Sequence, residues 1–382
     1  MNQKKAADYT SLKVALVYDR VVKFGGAERI LLALKEIWPS SPLYTAIYDQ
    51  KSAKWAYHFQ IEDSFIRFLP ASFRLQEILP LITPYIFEKF SFDDFDIVIS
   101  ITSQDAKCII TKPDTLHICY NLTPTRYLWS GFKEYYRQPS FGLLNPLVRY
   151  GMKMVFPSMR RWDIISSRRP DYYLAISQTV KKRITHYYHR KSEVIYPPVD
   201  TDAFVLPKSP PLLNYFLIVS RLVSYKRLDY AVSAFKYLPF RLKIIGSGID
   251  EARLKKIAPK NVEFIEGSLT DQKLCWYYQN CLALIFPGME DFGLTPLEVQ
   301  SCGRPVIALK EGGATESIID KATGLFYYNK NEKALIKAIK AFLKNRFDPK
   351  ICRNNSLRFS KKIFIRKMKQ KIYQYYLDYQ LL

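Results

Sequence analysis

The stretch from Leu284 to Ala308, LIFPGMEDFGLTPLEVQSCGRPVIA, constrains this chain more than any other. It reads as strand, loop, helix, loop, strand. Leu284 to Phe286 is a short apolar run, Thr295 is placed as N-cap with Pro296 at the first helical position, and Gly303 ends the helix ahead of Pro305 and the strand Val306 to Ala308. A chain that turns from strand into helix this way delivers two acidic residues, Glu290 and Glu298, and several free amides to one helix start.

Glu298 has a purely structural reading. Thr295 and Glu298 have capping-box spacing, so the carboxylate can reach back to the N-cap amide. The functional reading is that the amides of Phe292, Gly293 and Leu294 hold a phosphate at the positive end of the helix while the carboxylates bind sugar hydroxyls. The two glutamates, the EDFG tetrapeptide with Asp291, and the following GRPVIA resemble the donor-binding signature of retaining glycosyltransferases of family 4 (group 1). That resemblance implies the GT-B fold. It also implies that Glu290 positions the transferred sugar and Glu298 the ribose.

With 382 residues, the chain is long enough for two domains, each with its own core. A hydrophobic content of 48% excludes a disordered chain. The six cysteines, Cys108, Cys119, Cys275, Cys281, Cys302 and Cys352, are scattered without CxxC spacing, which predicts buried free thiols rather than disulfides or a metal site. No signal-peptide pattern and no run of about 18 apolar residues occurs, so the expected location is the cytoplasm. The net charge of +23 calls for an anionic partner or surface. It is concentrated: Lys344 to Lys371 holds eleven Lys or Arg with only Asp348 opposing them, and Phe359, Phe364, Tyr373, Tyr375 and Tyr376 interleave with this run or follow it. A solvated helix face, anionic lipid and nucleic acid all fit such a run.

In chain order, Lys13 to Tyr18 is a buried-type strand that leads into Gly25-Gly26 and a helix from Ala27 to Ile37, an anion-cradling arrangement. The alternation repeats through Ser41 to Tyr48, a helical region ending at Glu88, and Asp96 to Ile101. Asp94 and Asp96 form a DxD, read as a polar lead-in to that strand because no third metal ligand stands nearby. Leu116 to Trp129, LHICYNLTPTRYLW, resembles the acceptor-side motif of a bacterial mannosyltransferase subgroup. Tyr120, Thr123, Pro124, Arg126, Tyr127 and Trp129 match it, whereas Leu122 stands where that subgroup has a histidine, and His117 reads as a partly buried strand residue. Gly131 to Arg169, rich in Tyr, Arg and Trp, reads either as a packed helix with basic flanks or as an interfacial amphipathic segment. Tyr172 to Ser177, the helix through Tyr188 and VIYPPVD complete the first domain, and Thr201 to Leu213, with Pro207, Pro210 and Pro211, reads as a linker.

The second domain opens with the strand Tyr215 to Val219, and Arg221 and Lys226 follow its end, where open parallel sheets bind ligands. Lys243 to Gly248, KIIGSG, is another strand meeting a glycine loop. Glu251 replaces its third glycine, so it carries no dinucleotide fingerprint. Gly312, Gly313 and Glu316 resemble the loop and helix that follow in the same family.

The expected architecture is two α/β Rossmann-like domains facing a cleft, residues 1–200 with 361–382 on the acceptor side and 201–360 on the nucleotide-sugar side. The last helix, from about Lys361, is implied by the resemblance to cross back onto the first domain. The family resemblance implies that Arg221, Lys226 and Glu290 are catalytic. Gly246, Gly248, Asp291, Phe292, Gly293, Leu294 and Glu298 would then bind the donor, and Gly25, Gly26, Tyr120, Thr123 and Arg126 would line the acceptor side. The implied reaction moves mannose from GDP-mannose, with retention and without metal or other cofactor, onto a lipid-linked oligosaccharide of a surface polysaccharide. The protein would lie on the anionic inner face of the cytoplasmic membrane and would not bind nucleic acid. Two rival classes are a noncatalytic sugar-nucleotide or membrane-docking protein, which Leu122 would suit, and a nucleic-acid binder, which leaves EDFGLTPLE unexplained.

Overall fold

The structure is a computed structural model and describes residues 12–64, 81–137, 145–267 and 269–381. By its internal contacts the chain divides into two units, Met1–Tyr196 with Phe364–Leu382, and Pro197–Ile363.

The first unit runs β1 (Val14–Tyr18), α1 (Gly26–Ile37), β2 (Leu43–Thr45), β3 (Ile61–Asp63), α2 (Thr83–Glu88), β4 (Ile97–Thr102), β5 (Leu116–Asn121), α3 (Phe132–Arg137), α4 (Asn145–Ser166), β6 (Tyr172–Ala175), α5 (Gln178–Tyr188) and β7 (Glu193–Val194). Its strands form a seven-stranded parallel sheet in the order β3-β2-β1-β4-β5-β6-β7. Every residue of β1, β4 and β5 is buried. Their sequences, VALVY, IVISIT and LHICYN, are mostly apolar and do not alternate, as expected where helices cover both faces of a parallel sheet, and the polar residues among them, Ser100, Thr102, His117 and Asn121, are buried. Asp96 introduces β4 by accepting the Lys13 amide at 2.8 Å, a strand lead-in rather than an open ligand position.

The second unit runs β8 (Tyr215–Val219), α6 (Leu228–Ala234), β9 (Arg241–Ile245), α7 (Glu251–Ile257), β10 (Val262–Ile265), α8 (Asp271–Asn280), β11 (Leu284–Phe286), α9 (Thr295–Ser301), β12 (Val306–Leu309), α10 (Ala314–Ser317), β13 (Gly324–Tyr327), α11 (Glu332–Phe342) and α12 (Pro349–Leu357). Its six-stranded parallel sheet has the order β10-β9-β8-β11-β12-β13. One apolar layer, including Phe216, Ile244, Ile307 and Ile339, lies on one side of this sheet, and a second, including Tyr215, Leu217, Leu284 and Val306, on the other. Alternate strand residues serve alternate layers, as the pleat requires.

Two sequence expectations change here. The proline-rich stretch 201–213 packs onto the second unit instead of spanning solvent. Phe204 is fully buried against Tyr278, its carbonyl accepts from Ser301 Oγ at 2.6 Å, and the Arg353 guanidinium bonds the Thr201 carbonyl at 2.9 Å. Prolines remove amide donors without preventing a segment from burying its side chains. The aromatics of the basic run also turn inward: Phe359 is buried beside Phe292, while Phe364 and Tyr375 are buried in α13 (Lys361–Tyr379). This helix presents Phe364, Met368, Ile372 and Tyr375 to the first unit, where Tyr375 stacks on Tyr172 at 4.0 Å and Lys371 pairs with Glu193 at 2.8 Å. Lys362, Arg366, Lys367 and Lys369 stay on its exposed side. The six cysteines are buried free thiols.

Candidate active site

In a parallel sheet whose strand order runs outward both ways from one strand, the loops at the reversal diverge and leave a crevice at the carboxyl ends of the strands. The second unit reverses between β8 and β11. The loop after β8 carries Arg221 and Lys226, and the loop after β11 carries Glu290.

Lys226 closes a 3₁₀ turn, Ser224–Lys226, and is only 7% exposed. A lysine this buried needs an anionic partner, and its Nζ forms an ion pair with Glu290 Oε1. Arg221 is exposed and donates to the Tyr225 hydroxyl at 2.6 Å. Of the three charged residues expected at the donor site, the structure joins Lys226 and Glu290 directly.

Backbone contacts hold this arrangement. Leu222 donates to the Ser247 carbonyl at 2.9 Å and Asp250 to the Leu222 carbonyl at 3.0 Å, tying the β8 loop to the β9 loop. Gly246, at φ +134°, sits where a Cβ would lie 1.9 Å from the Ser220 carbonyl oxygen, and a Cβ on Gly248 would lie 2.2 Å from that of Leu222. These two glycines, expected to bind donor, allow the two loops to meet; their visible work is backbone packing. Gly288, which sequence reasoning passed over, has the same role for the acid. A Cβ there would come within 2.7 Å of the Lys226 carbonyl oxygen, so only glycine lets the Glu290 loop approach Lys226 closely. The Glu290 carbonyl is held in turn by the Gly313 amide at 2.8 Å, and Pro287 by the Tyr230 hydroxyl at 2.5 Å.

The helix that follows corrects the capping expectation. Its N-cap is Leu294 without a side-chain cap, Thr295 lies inside the helix, and the Glu298 amide donates to the Leu294 carbonyl at 2.9 Å. Proline fits anywhere in the first turn, where amides lack helical partners, so Pro296 did not fix the register. Glu298 is buried at 8% exposure, and its Oε2 accepts from the Tyr278 hydroxyl at 2.8 Å. Tyr278 carried no local signal, since its partner lies on another helix. Phe292 is buried, Gly293 adopts φ +83°, and Asp291 and Leu294 are partly exposed in the loop between Glu290 and α9.

The first unit reverses between β1 and β4, and its own side chains fill that crevice. Asp19, just after β1, accepts from Thr102 Oγ1 at 2.7 Å and from the amides of Ser103, Asp105 and Ala106 at 2.7, 3.0 and 2.9 Å. Gly25 is the extended N-cap of α1 and Gly26 its first residue. Behind them Glu28, 2% exposed, accepts from the Tyr18 hydroxyl at 2.7 Å. Burial raises the Glu28 carboxyl above the usual carboxylate range, and the Tyr18 hydrogen bond opposes that rise.

The acceptor-side residues do not share one surface. Tyr120 is fully buried, its hydroxyl bonded to the Ile195 carbonyl at 2.7 Å and its ring against Phe364, so it supports the fold instead of touching a ligand. Thr123, 5% exposed, accepts from Arg183 at 3.2 Å, whereas Arg126 is partly exposed. Leu122 is half-buried and donates its amide to the Thr102 carbonyl at 2.8 Å. His117 is fully buried beside Ser100 Oγ at 2.8 Å, and burial pushes its pKa down to about 3, so it stays neutral. Trp129 Nε1 and Thr125 Oγ1 both donate to Asp163, which also pairs with the buried Lys107 at 2.7 Å.

Residues 206–359 match the family described as glycosyl transferases group 1. This matching stretch lies within the second unit. The matching stretch contains Arg221, Lys226, Glu290 and Glu298. The chain is 28% identical over 196 residues to an uncharacterized glycosyltransferase of Methanocaldococcus jannaschii, covering 50% of this chain and 55% of that protein. It is 24% identical over 193 residues to an alpha-1,3/1,6-mannosyltransferase of Dictyostelium discoideum, covering 39% of this chain and 46% of that protein. The chain thus spans about half the length of the curated relatives it matches. Among solved structures, Anabaena HepE in complex with UDP superposes with a TM-score of 0.69 at 16% identity, over 95% of this chain and 100% of that one. The two parallel-sheet units are those of the GT-B fold.

Proposed function

We propose that this chain transfers a hexose, mannose from GDP-mannose, with retention, onto a lipid-linked oligosaccharide of a surface polysaccharide. The observation that carries the reading is the meeting of Lys226 and Glu290 at the β8–β11 reversal, within the stretch similar to the glycosyl transferases group 1 family. In the absence of donor, each residue neutralises the other. A donor diphosphate brings more charge than one carboxylate, so it takes Lys226 from Glu290, and Arg221 adds a second cation. Glu290 is then released toward the sugar hydroxyls, and the cations stabilise the charge of the leaving diphosphate. Because α9 has only seven residues, the loop amides at its start add little by themselves, and the cationic side chains carry most of this work. Glu298, steadied by Tyr278, takes the ribose hydroxyls.

Similarity to an alpha-1,3/1,6-mannosyltransferase supports mannose as the sugar. If Arg221 and Lys226 carry the diphosphate charge, no metal is required, and transfer is expected to persist in EDTA. No helix among the described residues is long and apolar enough to cross a membrane. The membrane part of the proposal rests instead on the exposed basic side of α13, whose Lys and Arg near an anionic surface contribute about 1 kcal/mol each.

A thermal-shift panel of GDP- and UDP-sugars tests the donor, since a ligand that binds only the folded state raises its stability by mass action. GDP-mannose is expected to give the largest rise. A larger rise with a UDP-sugar would replace the donor assignment, and no rise with any nucleotide sugar would refute the reading. Loss of anionic-vesicle binding on reversing Lys362, Arg366 and Lys369 tests the membrane surface, and retained binding would exclude α13 from it.

A further inference from the structure

The first unit contains a recess that the donor chemistry does not use. It is a cavity of about 310 Å³ between α2, α4 and the loops after β4 and β5, within the range that small ligands occupy. Pro84, Val155, Met159 and Ile165 give it apolar walls. Tyr127 and Trp162 also line it, and the Tyr127 hydroxyl and the Trp162 indole nitrogen are buried without a hydrogen-bond partner among the described residues. A buried polar group left unpaired is costly, so two at one recess call for a ligand that brings hydrogen-bonding oxygens. Arg161 lines the same cavity and is exposed. Of the acids there, Asp163 is paired with Lys107, and Asp105 accepts from Thr83 Oγ1 while burial pushes its carboxyl up to about 7.

Apolar surface continues beyond the cavity. Leu147, Tyr150 and Met154 of α4 are 69%, 65% and 67% exposed, and Ile82 and Tyr85 beside the cavity are 43% and 59% exposed. A sugar, with hydroxyls on every edge, gains little from such a surface, whereas a hydrocarbon chain does.

We infer that this cavity holds the phosphate head and first carbons of an anionic lipid, with Tyr127, Trp162 and Arg161 donating to the head and the chain continuing along α4. This rests on the lipid-linked acceptor proposed above and assigns that acceptor's lipid part to a place.

Farnesyl phosphate, titrated calorimetrically into the full chain, is the probe, with inorganic phosphate and farnesol as comparison arms. Farnesyl phosphate is expected to bind at least about tenfold more tightly than either. Tyr127→Phe, which keeps its ring, is expected to weaken it by about threefold to tenfold, the loss of one hydrogen bond, and Trp162→Phe, which also loses part of the indole, by at least as much. Neither should change GDP binding by the second unit. Met159→Glu, which places a charge in the apolar wall, is expected to abolish farnesyl phosphate binding. Phosphate binding as tightly as farnesyl phosphate would reduce the cavity to an ion site and overturn the inference. Equal affinity in all three variants would place the lipid elsewhere, also against it. A protein that binds GDP-mannose and transfers to a water-soluble acceptor while ignoring farnesyl phosphate refutes this inference alone, and one that binds neither refutes the functional reading beneath it.

Discussion

The two units apply one topology to opposite ends. Each is a parallel sheet whose strand order reverses once, between β1 and β4 in the first and between β8 and β11 in the second. In the first unit the crevice is closed from within, because the Asp19 carboxylate accepts three backbone amides and a hydroxyl from the loop across the reversal. In the second, two oppositely charged side chains, Lys226 and Glu290, face each other from separate loops. An amide cluster on a carboxylate has no easy substitute, while an ion pair can be displaced by a stronger anion. The topology supplies the crevice, and the residues at its rim decide whether it is scaffold or site.

Breaking the first crevice should have the largest effect. Asp19→Ala would strand three amides and a hydroxyl in a buried place, at about 1–3 kcal/mol each. Chemical denaturation should show a loss of about 3 kcal/mol or more, or failure to fold. A loss under about 1 kcal/mol would mean that the first crevice is as replaceable as the second, and the contrast would collapse.

A smaller effect sharpens the reading of Glu298. Tyr278→Phe removes one hydrogen bond to its carboxylate, so stability should fall by about 1–2 kcal/mol. If Glu298 also holds ribose, Glu298→Gln should weaken nucleotide binding more than it lowers the melting temperature. Equal nucleotide affinity in Glu298→Gln would leave that residue as structural support only.

The smallest effect concerns pH. His117 has its pKa lowered to about 3 by burial first, and by Arg169 and Arg190 second. Its contribution is therefore full above the ordinary histidine pKa, about 6.5, and is lost as pH falls through that value toward 3. Urea midpoints at pH 7.5 and 5.0 should differ less in His117→Asn than in the wild type. An unchanged difference would show that His117 does not couple first-unit stability to acid.

Much of this fold was legible because parallel strands buried on both faces are written as near-continuous apolar runs without polar alternation, such as VALVY and the mostly apolar IVISIT. The charged residues of the second crevice were legible for a related reason, since they follow strand ends directly. Contacts between distant segments were not. Tyr120 sits in a motif-like stretch, yet its hydroxyl goes to Ile195, 75 residues away. Phe204 looks like a linker residue until α8 and α12 are in place around it. The α9 register was misread for a local reason: proline and threonine suit two adjacent cap positions, and only the backbone bond from Glu298 to Leu294 separates them.

The central claim, that Lys226 is shared between Glu290 and a donor diphosphate, is tested most directly by calorimetric titration of GDP and UDP into wild type, Lys226→Ala and Glu290→Gln. For the nucleotide that binds, Lys226→Ala should weaken affinity by about tenfold to a hundredfold, as loss of a charged hydrogen bond implies. Glu290→Gln should bind it at least as tightly as the wild type, because the competing carboxylate is gone, while sugar transfer falls. Unchanged affinity in Lys226→Ala, or weaker diphosphate binding in Glu290→Gln, would contradict the account.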